Sequence, residues 1–563
     1  MKNNTKIIVG LVVVLVLVLG IWFVVGRPPA EEPVAEEPAV EEPAVEEPAV
    51  EEPAAEEPVA EEPGEIYPLD TDVVITYWLG LPAPHVSANF TNYAETPFYK
   101  WVMEETGVQI EFLHPPEGQA VEQFNLMIAS GDLPDVMEWN WLDFPGGPQK
   151  ALDDEIIIPL NDLIESYAPN FRALLDEVPS WDRAAKTDLG IYYTFPFIRD
   201  TRGDDFRLLV HVGPMVRRDW LDDLGLSVPE TIADWEAMLT AFRDEKGAVA
   251  PLTYERWALD ATSTFLSAFD ARMTFFHVDG EVKWGPIEPG FRDFLELFSR
   301  WYAEGLIDQE IGVVDRLGVE AKIITGQAGA AIGTKVGRLG YWLELMRDDP
   351  NFDLVGTTKP VVTLGDRPMF GHRARDIHAG AGIGITTRAE EHELEIITRF
   401  ADFAYGEQGH ILFNFGRENE SFTWVDGKPT YMDHIYNHPE GWPIVESLSQ
   451  YVRSTTHGPF VQDQRYIWQY AFHPQQEEAY LRWRETDERL HMLPPGFTPS
   501  PEEASELASI MADANTKRDE VFLRILVGEA GLEEWDTFVA DVSDDIARAI
   551  EIHEAAIQRF NAR

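Results

Sequence analysis

Asp72-Val-Val-Ile-Thr-Tyr-Trp78 opens the stretch that decides the fold. It is a β-branched and aromatic run that stops at Gly80, which predicts a strand. Phe98, Trp101, Val102 and Glu105 follow at helical spacing and end at Gly107. Val108-Gln-Ile-Glu-Phe-Leu113 alternates, as a second strand does. Val121, Phe124, Met127 and Ile128 mark a helix over Ala120–Ser130 that ends at Gly131, and Leu133-Pro-Asp-Val-Met137 reads as a third strand. Strand, helix, strand, helix, strand predicts an α/β fold with a mostly parallel sheet. In such sheets ligands bind beyond the carboxyl ends of the strands. Trp78 and the segment Trp139-Asn140-Trp141 sit at two such ends.

Before this stretch the chain has another character. Ile7–Val25 is a run of 19 uncharged residues behind Lys2 and Lys6. At about 1.5 Å per residue it reaches ~28 Å, the thickness of a bilayer's hydrocarbon core. Its length, and Gly26-Arg27-Pro28-Pro29 in place of a small-residue cleavage site, predict a retained transmembrane anchor rather than a removed signal peptide. The lysines assign residues 1–6 to the cytoplasm and everything after the anchor to the outside, a single-pass arrangement. Residues 26–65 carry Glu-Glu-Pro seven times at five-residue intervals. Like charges and prolines make this an extended tether.

The whole chain of 563 residues carries 44 Lys+Arg against 99 Asp+Glu, a net charge of −55. Residues 1–65 hold 15 of the acids and 3 of the bases, which leaves the body with 84 against 41. So acidic a chain is not built for a phosphate backbone, and no nucleic-acid partner is expected. The absence of cysteine excludes disulfides, thiolate metal sites, cysteine nucleophiles and cysteine-linked lipid anchors.

The signatures of catalysis are missing. There is no Gly-x-Ser-x-Gly elbow, no phosphate-binding loop and no His-Glu-x-x-His. Gly382-Ile-Gly384 lies inside a strand pattern and reads as close backbone packing. With no catalytic residue singled out, the expectation is a binding protein that is not an enzyme and has no cofactor. Aromatic residues are plentiful: 17 Trp, 17 Tyr and 31 Phe. Flat rings suit the apolar faces of sugars. Trp101, Trp235 and Trp301 fall on amphipathic helices and are expected in the core, as is Trp284 behind the hairpin turn Asp279-Gly280. The candidates for ligand contact are Trp78, Trp139, Asn140, Trp141, Tyr254, Trp257 and Trp424, the last beside the turn Asp426-Gly427. Arg373, Arg375 and Asp376, in Gly371-His-Arg-Ala-Arg-Asp-Ile-His378, complete the set as partners for hydroxyls or a carboxylate. The bland alternative for that cluster is a basic loop paired with an acidic surface.

Five motifs in order carry a family resemblance: Ser130-Gly-Asp-Leu-Pro-Asp-Val136, Val216-Arg-Arg-Asp-Trp-Leu-Asp-Asp-Leu-Gly-Leu-Ser-Val-Pro229, Tyr302-Ala-Glu-Gly-Leu-Ile-Asp308, Gly326-Gln-Ala-Gly-Ala-Ala-Ile-Gly333, and Gly406-Glu-Gln-Gly409 with Asn414-Phe-Gly-Arg-Glu-Asn419. From about Asp70 to Phe560 the chain resembles the family 1 extracellular solute-binding proteins of ABC transporters, in particular the large sugar-binding, lipoprotein-like subgroup that includes alginate-oligosaccharide binders. The resemblance implies a periplasmic-binding-protein-like fold of two α/β lobes with a hinge and a ligand cleft between them. On that pattern lobe 1 covers about 66–197 and 365–425, lobe 2 about 198–364 and 426–563, and crossovers fall at Tyr192–Pro196 and before Ile383. It implies a carbohydrate ligand, an oligosaccharide, delivered to the permease of an ABC importer. An extracellular glycoside hydrolase and a ligand-presenting sensor are the alternatives. Two departures stand out. The lipid-anchoring cysteine of the family is absent, and Phe242-Arg-Asp-Glu-Lys-Gly-Ala-Val-Ala-Pro251 is too short and too poor in ligands for the calcium loop of many relatives, so no structural calcium is expected there.

Overall fold

Phe195–Arg199, Val212–Arg217 and Ile377–Ile385 are buried almost without interruption, so the main sheets are covered on both faces. The structure, a computed structural model, describes residues 66–81, 89–116, 118–203, 207–453 and 455–563. The expected anchor at 7–25 and the Glu-Glu-Pro tether lie outside the described residues. Among the described residues, no helix is long and apolar enough to cross a membrane. The body Glu65–Arg563 is one compact unit.

In chain order the strands are β1 (Val74–Trp78), β2 (Gln109–Leu113), β3 (Val136–Asn140), β4 (Phe195–Arg199), β5 (Val212–Arg217), β6 (Leu252–Thr253), β7 (Phe275–Val278), β8 (Glu281–Trp284), β9 (Ala330–Lys335), β10 (Leu354–Gly356), β11 (Ile377–Ile385), β12 (Phe422–Val425), β13 (Lys428–Tyr431) and β14 (Phe460–Gln462). Six of them form one sheet in the order β14-β4-β11-β3-β1-β2, and four form a second in the order β10-β5-β9-β6. The opening stretch folds as read, with β1 parallel to both β2 and β3. The helix between β1 and β2, Pro97–Thr106, starts where Thr96 Oγ1 accepts from Tyr99 N and stops at Gly107, whose φ of 76° suits glycine. The helix Ala120–Ser130 ends at Gly131 in the same way.

The sheets are mixed rather than mostly parallel. β11 lies antiparallel between β3 and β4. It enters from the second sheet, at the end opposite to the local strand–helix–strand path, so it runs the other way. Its pairing also moves strand limits. β3 continues past Met137 to Asn140 because Asn140 faces Ala381, a contact across more than two hundred residues that local pattern does not show. In the segment expected as a crossover, Tyr192–Pro196, the strand begins only at Phe195 and runs to Arg199, because residues 187–191 close a turn through Gly190.

Each sheet carries a core on both faces. On the first, helices 97–106 and 394–403 cover one side, while Phe124 with Trp78, Met137 and Trp141 fills the other. On the second, Met215, Ala331 and Leu354 face one core and their neighbours Val216, Ala330 and Val355 face the other. The long C-terminal helices Pro501–Leu526 and Leu532–Asn561 close the second core through Phe522, Trp535 and Phe538. Trp101, Trp235, Trp284 and Trp301 are buried, as expected. The chain crosses between the sheets at β4–β5 and β10–β11. It crosses again near Phe413–Phe415 and on either side of β14, whose Phe460 and Val461 belong to the first sheet's core while Val452 and Tyr466 belong to the second's.

The glycines of β11 are needed for this packing. A Cβ on Gly382 would lie 2.2 Å from the Phe195 carbonyl oxygen, and one on Gly384 2.8 Å from the Trp141 ring. Because the neighbour of Gly382 is backbone, Gly382→Ala is expected to lower stability by about 1–3 kcal/mol. Gly312→Ala, in open space, is expected to leave it within ~0.5 kcal/mol. Urea denaturation of the two variants checks this; equal midpoints would contradict it.

Candidate functional site

Where the carboxyl end of β3 meets the start of β11, a cavity of about 610 Å³ opens. Asn140, Leu142 and residues 377–381 form its base. Residues 372–375, Arg272, Glu488 and His457 supply its polar wall, and Phe275, Met492, Pro494 and Phe497 its apolar one. Phe275 and Phe497 are half-buried and are braced from behind by His553, whose ring centroid lies 4.0 Å and 5.7 Å from theirs. Rings held in this way give a stiff apolar face to a cavity whose lining also carries hydrogen-bond donors.

The loop 371–378 is held from several directions. Glu488 accepts from Gly371 N at 3.0 Å and from Arg272 Nη1 at 3.1 Å. Ala374 N donates to Leu209 O at 2.7 Å, and Arg375 Nη1 to Leu493 O at 2.7 Å. Beneath the site, Arg453 donates to both oxygens of Glu138 at 2.8 and 2.9 Å and to Tyr93 Oη at 2.9 Å, and Tyr77 Oη donates to Glu138 at 2.6 Å. This buried pair ties β1 and β3 to the segment that leads into β14.

Four histidines gather here from three segments: His211, His372 and His378 of the loop 371–378, and His457. The rings of His211 and His372 meet edge to face at 5.1 Å. Arg199 Nη1 donates to His378 Nε2 at 2.7 Å, so that nitrogen carries no proton. Burial, then the cations Lys359, Arg199, Lys335 and Arg272, push His372 down to about 3. Burial, then Arg199 with His457, Arg375 and His372, push His378 down to about 3. His211 and His457 are lowered for the same two reasons, burial first, although Glu138 pulls His457 the other way. The carboxylates nearby are committed elsewhere: Glu138 to Arg453, Glu488 to Arg272, and Asp376 to the Trp181 indole at 2.9 Å.

The residues singled out from sequence fall in several places. Asn140, Arg373 and Arg375 line the cavity together. Asp376 turns away from it to Trp181. Trp78, Trp139 and Trp141 pack around Phe124, with Trp139 stacked on it at 4.3 Å. Trp141 is fully buried, and so is Tyr254, in the core of the second sheet. Trp257 is 37% exposed, near Gly333 at the end of β9. Trp424 is 43% exposed on the β12–β13 hairpin. Phe275, Phe497, His457, Arg272 and Glu488 were not foreseen, and single residues from distant segments carry no periodic signal. A second cavity of about 510 Å³, lined by Trp78, Gln123, Asp135 and Arg388 among others, lies beside β1. Its Asp135 accepts from Thr76 N and Oγ1 at 2.8 and 2.6 Å, bonds that join strands.

The fold has solved counterparts. The chain superposes on the alginate-binding protein AlgQ2 without calcium ion with a TM-score of 0.71 at 23% identity, covering 87% of this chain and 98% of that one. The ABC-transporter substrate-binding protein FusA of Streptococcus pneumoniae, in complex with kestose, superposes with a TM-score of 0.69 at 19% identity, covering 87% and 100%. These likenesses establish a periplasmic-binding-protein-like fold. In sequence, the fructooligosaccharide ABC transporter substrate-binding protein FusA is 29% identical over 223 residues, a stretch spanning 37% of this chain and 40% of that protein. Residues 87–411, more than half of the chain, match the family described as bacterial extracellular solute-binding protein, and the chain belongs to that family.

Proposed function

We propose that this protein is an extracytoplasmic binding protein that captures a carbohydrate, an oligosaccharide, and delivers it to the permease of an ABC importer without chemical change. The observation that carries the reading is the cavity at the β3–β11 junction, where braced Phe275 and Phe497 share the lining with Asn140, Arg373 and Arg375. Apolar ring faces and hydrogen-bond donors in one lining match the two kinds of surface on a sugar ring. Family membership, and relatives described as substrate-binding proteins of ABC transporters, support the transport role. The two sheets are the natural halves of a hinged, two-lobed body, with the crossing segments as hinge and the cavity as its cleft. Residues 7–25 then anchor the protein in the membrane and residues 26–65 tether the body outside it.

Isothermal titration against oligosaccharides of defined length is expected to find a ligand. Phe275→Ala or Phe497→Ala is expected to weaken its binding by at least about 0.5–1.5 kcal/mol. Purified protein incubated with polysaccharides is expected to release no sugar. Binding of peptides alone, or sugar release, would contradict the reading.

The neutral histidines set a pH limit on the stability of the body. Their folded pKa lies below the unfolded ~6.5, so the unfolded chain binds more protons once pH falls below that value. Stability is therefore full above about pH 7 and is lost progressively toward pH 3, by about 1–2 kcal/mol each for His372 and His378 at pH 5. Thermal melts at pH 7.5 and 5 are expected to differ less in the His372→Gln, His378→Gln double variant than in the parent protein.

A further inference from the structure

We infer that the solute is an anionic oligosaccharide, whose acidic groups are taken by the guanidinium and imidazole side chains of the cavity wall. The inference rests on the carbohydrate reading above and narrows it.

The first observation is the contrast between the body and its cavity. Acids outnumber bases 84 to 41 after residue 65. The charged residues lining the cavity invert that ratio: Arg272, Arg373 and Arg375 against Glu488 alone, with three histidines beside them. Glu488 is neutralised by Arg272 and the Gly371 amide.

The second is the state of the cations. In an acidic protein most arginines find a carboxylate, and more than thirty ion pairs are formed here. Among the described residues, no carboxylate lies within 4.0 Å of Arg199, Lys335, Arg373 or Arg375. Arg375 is held by a neutral carbonyl, Leu493 O, and Arg199 by His378 and the Arg375 carbonyl. The Arg373 guanidinium donates no hydrogen bond to any described residue, and His372 Nδ1 is buried without a partner. Lys335, at the end of β9, has Arg338, Arg199 and Arg316 near it, together with Glu255.

Gathering these groups costs free energy through mutual repulsion and desolvation. Asp376 and Glu488 lie near the arginines of the loop 371–378, yet neither forms an ion pair with Arg373 or Arg375, since Asp376 is bonded to Trp181 and Glu488 to Arg272. The Arg373 guanidinium, an unused donor on the cavity wall beside Arg375, is placed to hold an anion, and a guanidinium holds carboxylate, sulfate or phosphate through paired donors. With Phe275 and Phe497 in the same lining, the anion belongs to a ligand with an apolar ring face.

The test is titration of the full chain with oligosaccharides of equal length, one set bearing uronic acids, one bearing sulfate esters, and one neutral, together with the free monovalent uronate and inorganic sulfate. The expected result is binding within an acidic set. Its affinity should weaken as salt rises from 50 to 500 mM and fall about tenfold or more in Arg373→Gln. Circular dichroism of that variant should be unchanged, since the Arg373 side chain makes no internal hydrogen bond. Equal affinity for a neutral oligosaccharide, unmoved by salt or by Arg373→Gln, would overturn the inference and leave the carbohydrate reading intact. Binding of sulfate alone would overturn it as an adventitious ion only. Failure of all three sets would overturn both readings.

Discussion

Everything at the candidate site depends on β11 lying between β3 and β4. Its residues Ala379-Gly-Ala-Gly-Ile-Gly384 have almost no side chains where neighbouring groups press closest. A Cβ on Gly380 would meet Asn140 Oδ1 at 2.5 Å and Leu142, and one on Gly382 the Phe195 carbonyl. Removing side chains from a strand costs conformational entropy and packing area. Here the close approach joins three stretches of chain, around residues 140, 197 and 380, into one floor, and it swings the loop 371–378 over the cavity. The ion pair Glu138–Arg453 locks the same region from below. Such a buried pair adds little net stability, but losing one partner leaves a charge stranded, so it fixes geometry more than it adds strength.

The electrostatics form a second layer. A strongly acidic exterior keeps the body soluble and keeps neighbouring copies apart. The cavity has the opposite sign, and its histidines stay neutral because burial and the adjacent cations disfavour their protonation. The site therefore concentrates donors without the full repulsion of a fully charged cluster.

Much of the fold was legible locally. β1 to β3, their helices and the glycine stops follow from periodicity and caps, and the helices 289–303, 501–526 and 532–561 from their apolar stripes. The glycine strand was recognised as a place of close approach. What local pattern lacks is partner choice: nothing in Ile377–Ile385 states that it pairs antiparallel with β3, and nothing in Phe460–Gln462 that it joins the first sheet's edge. The site was legible where residues cluster in sequence, as in Arg373 and Arg375, and illegible where it is assembled from His457, Arg272, Phe275 and Phe497. The strand-end tryptophans show the ambiguity of aromatic residues. Trp78, Trp139 and Trp141 converge on Phe124, because the helix Ala120–Ser130 presents that ring to all three.

The central claim is that the β3–β11 cavity holds the solute. The most direct measurement is a crystal structure of the protein with a bound oligosaccharide. Sugar rings are expected against Phe275 and Phe497, with polar groups reaching Asn140 and Arg373. Sugar seated instead in the cavity beside β1, on Gln123 and Arg388, with the β3–β11 cavity filled only by water, would contradict it.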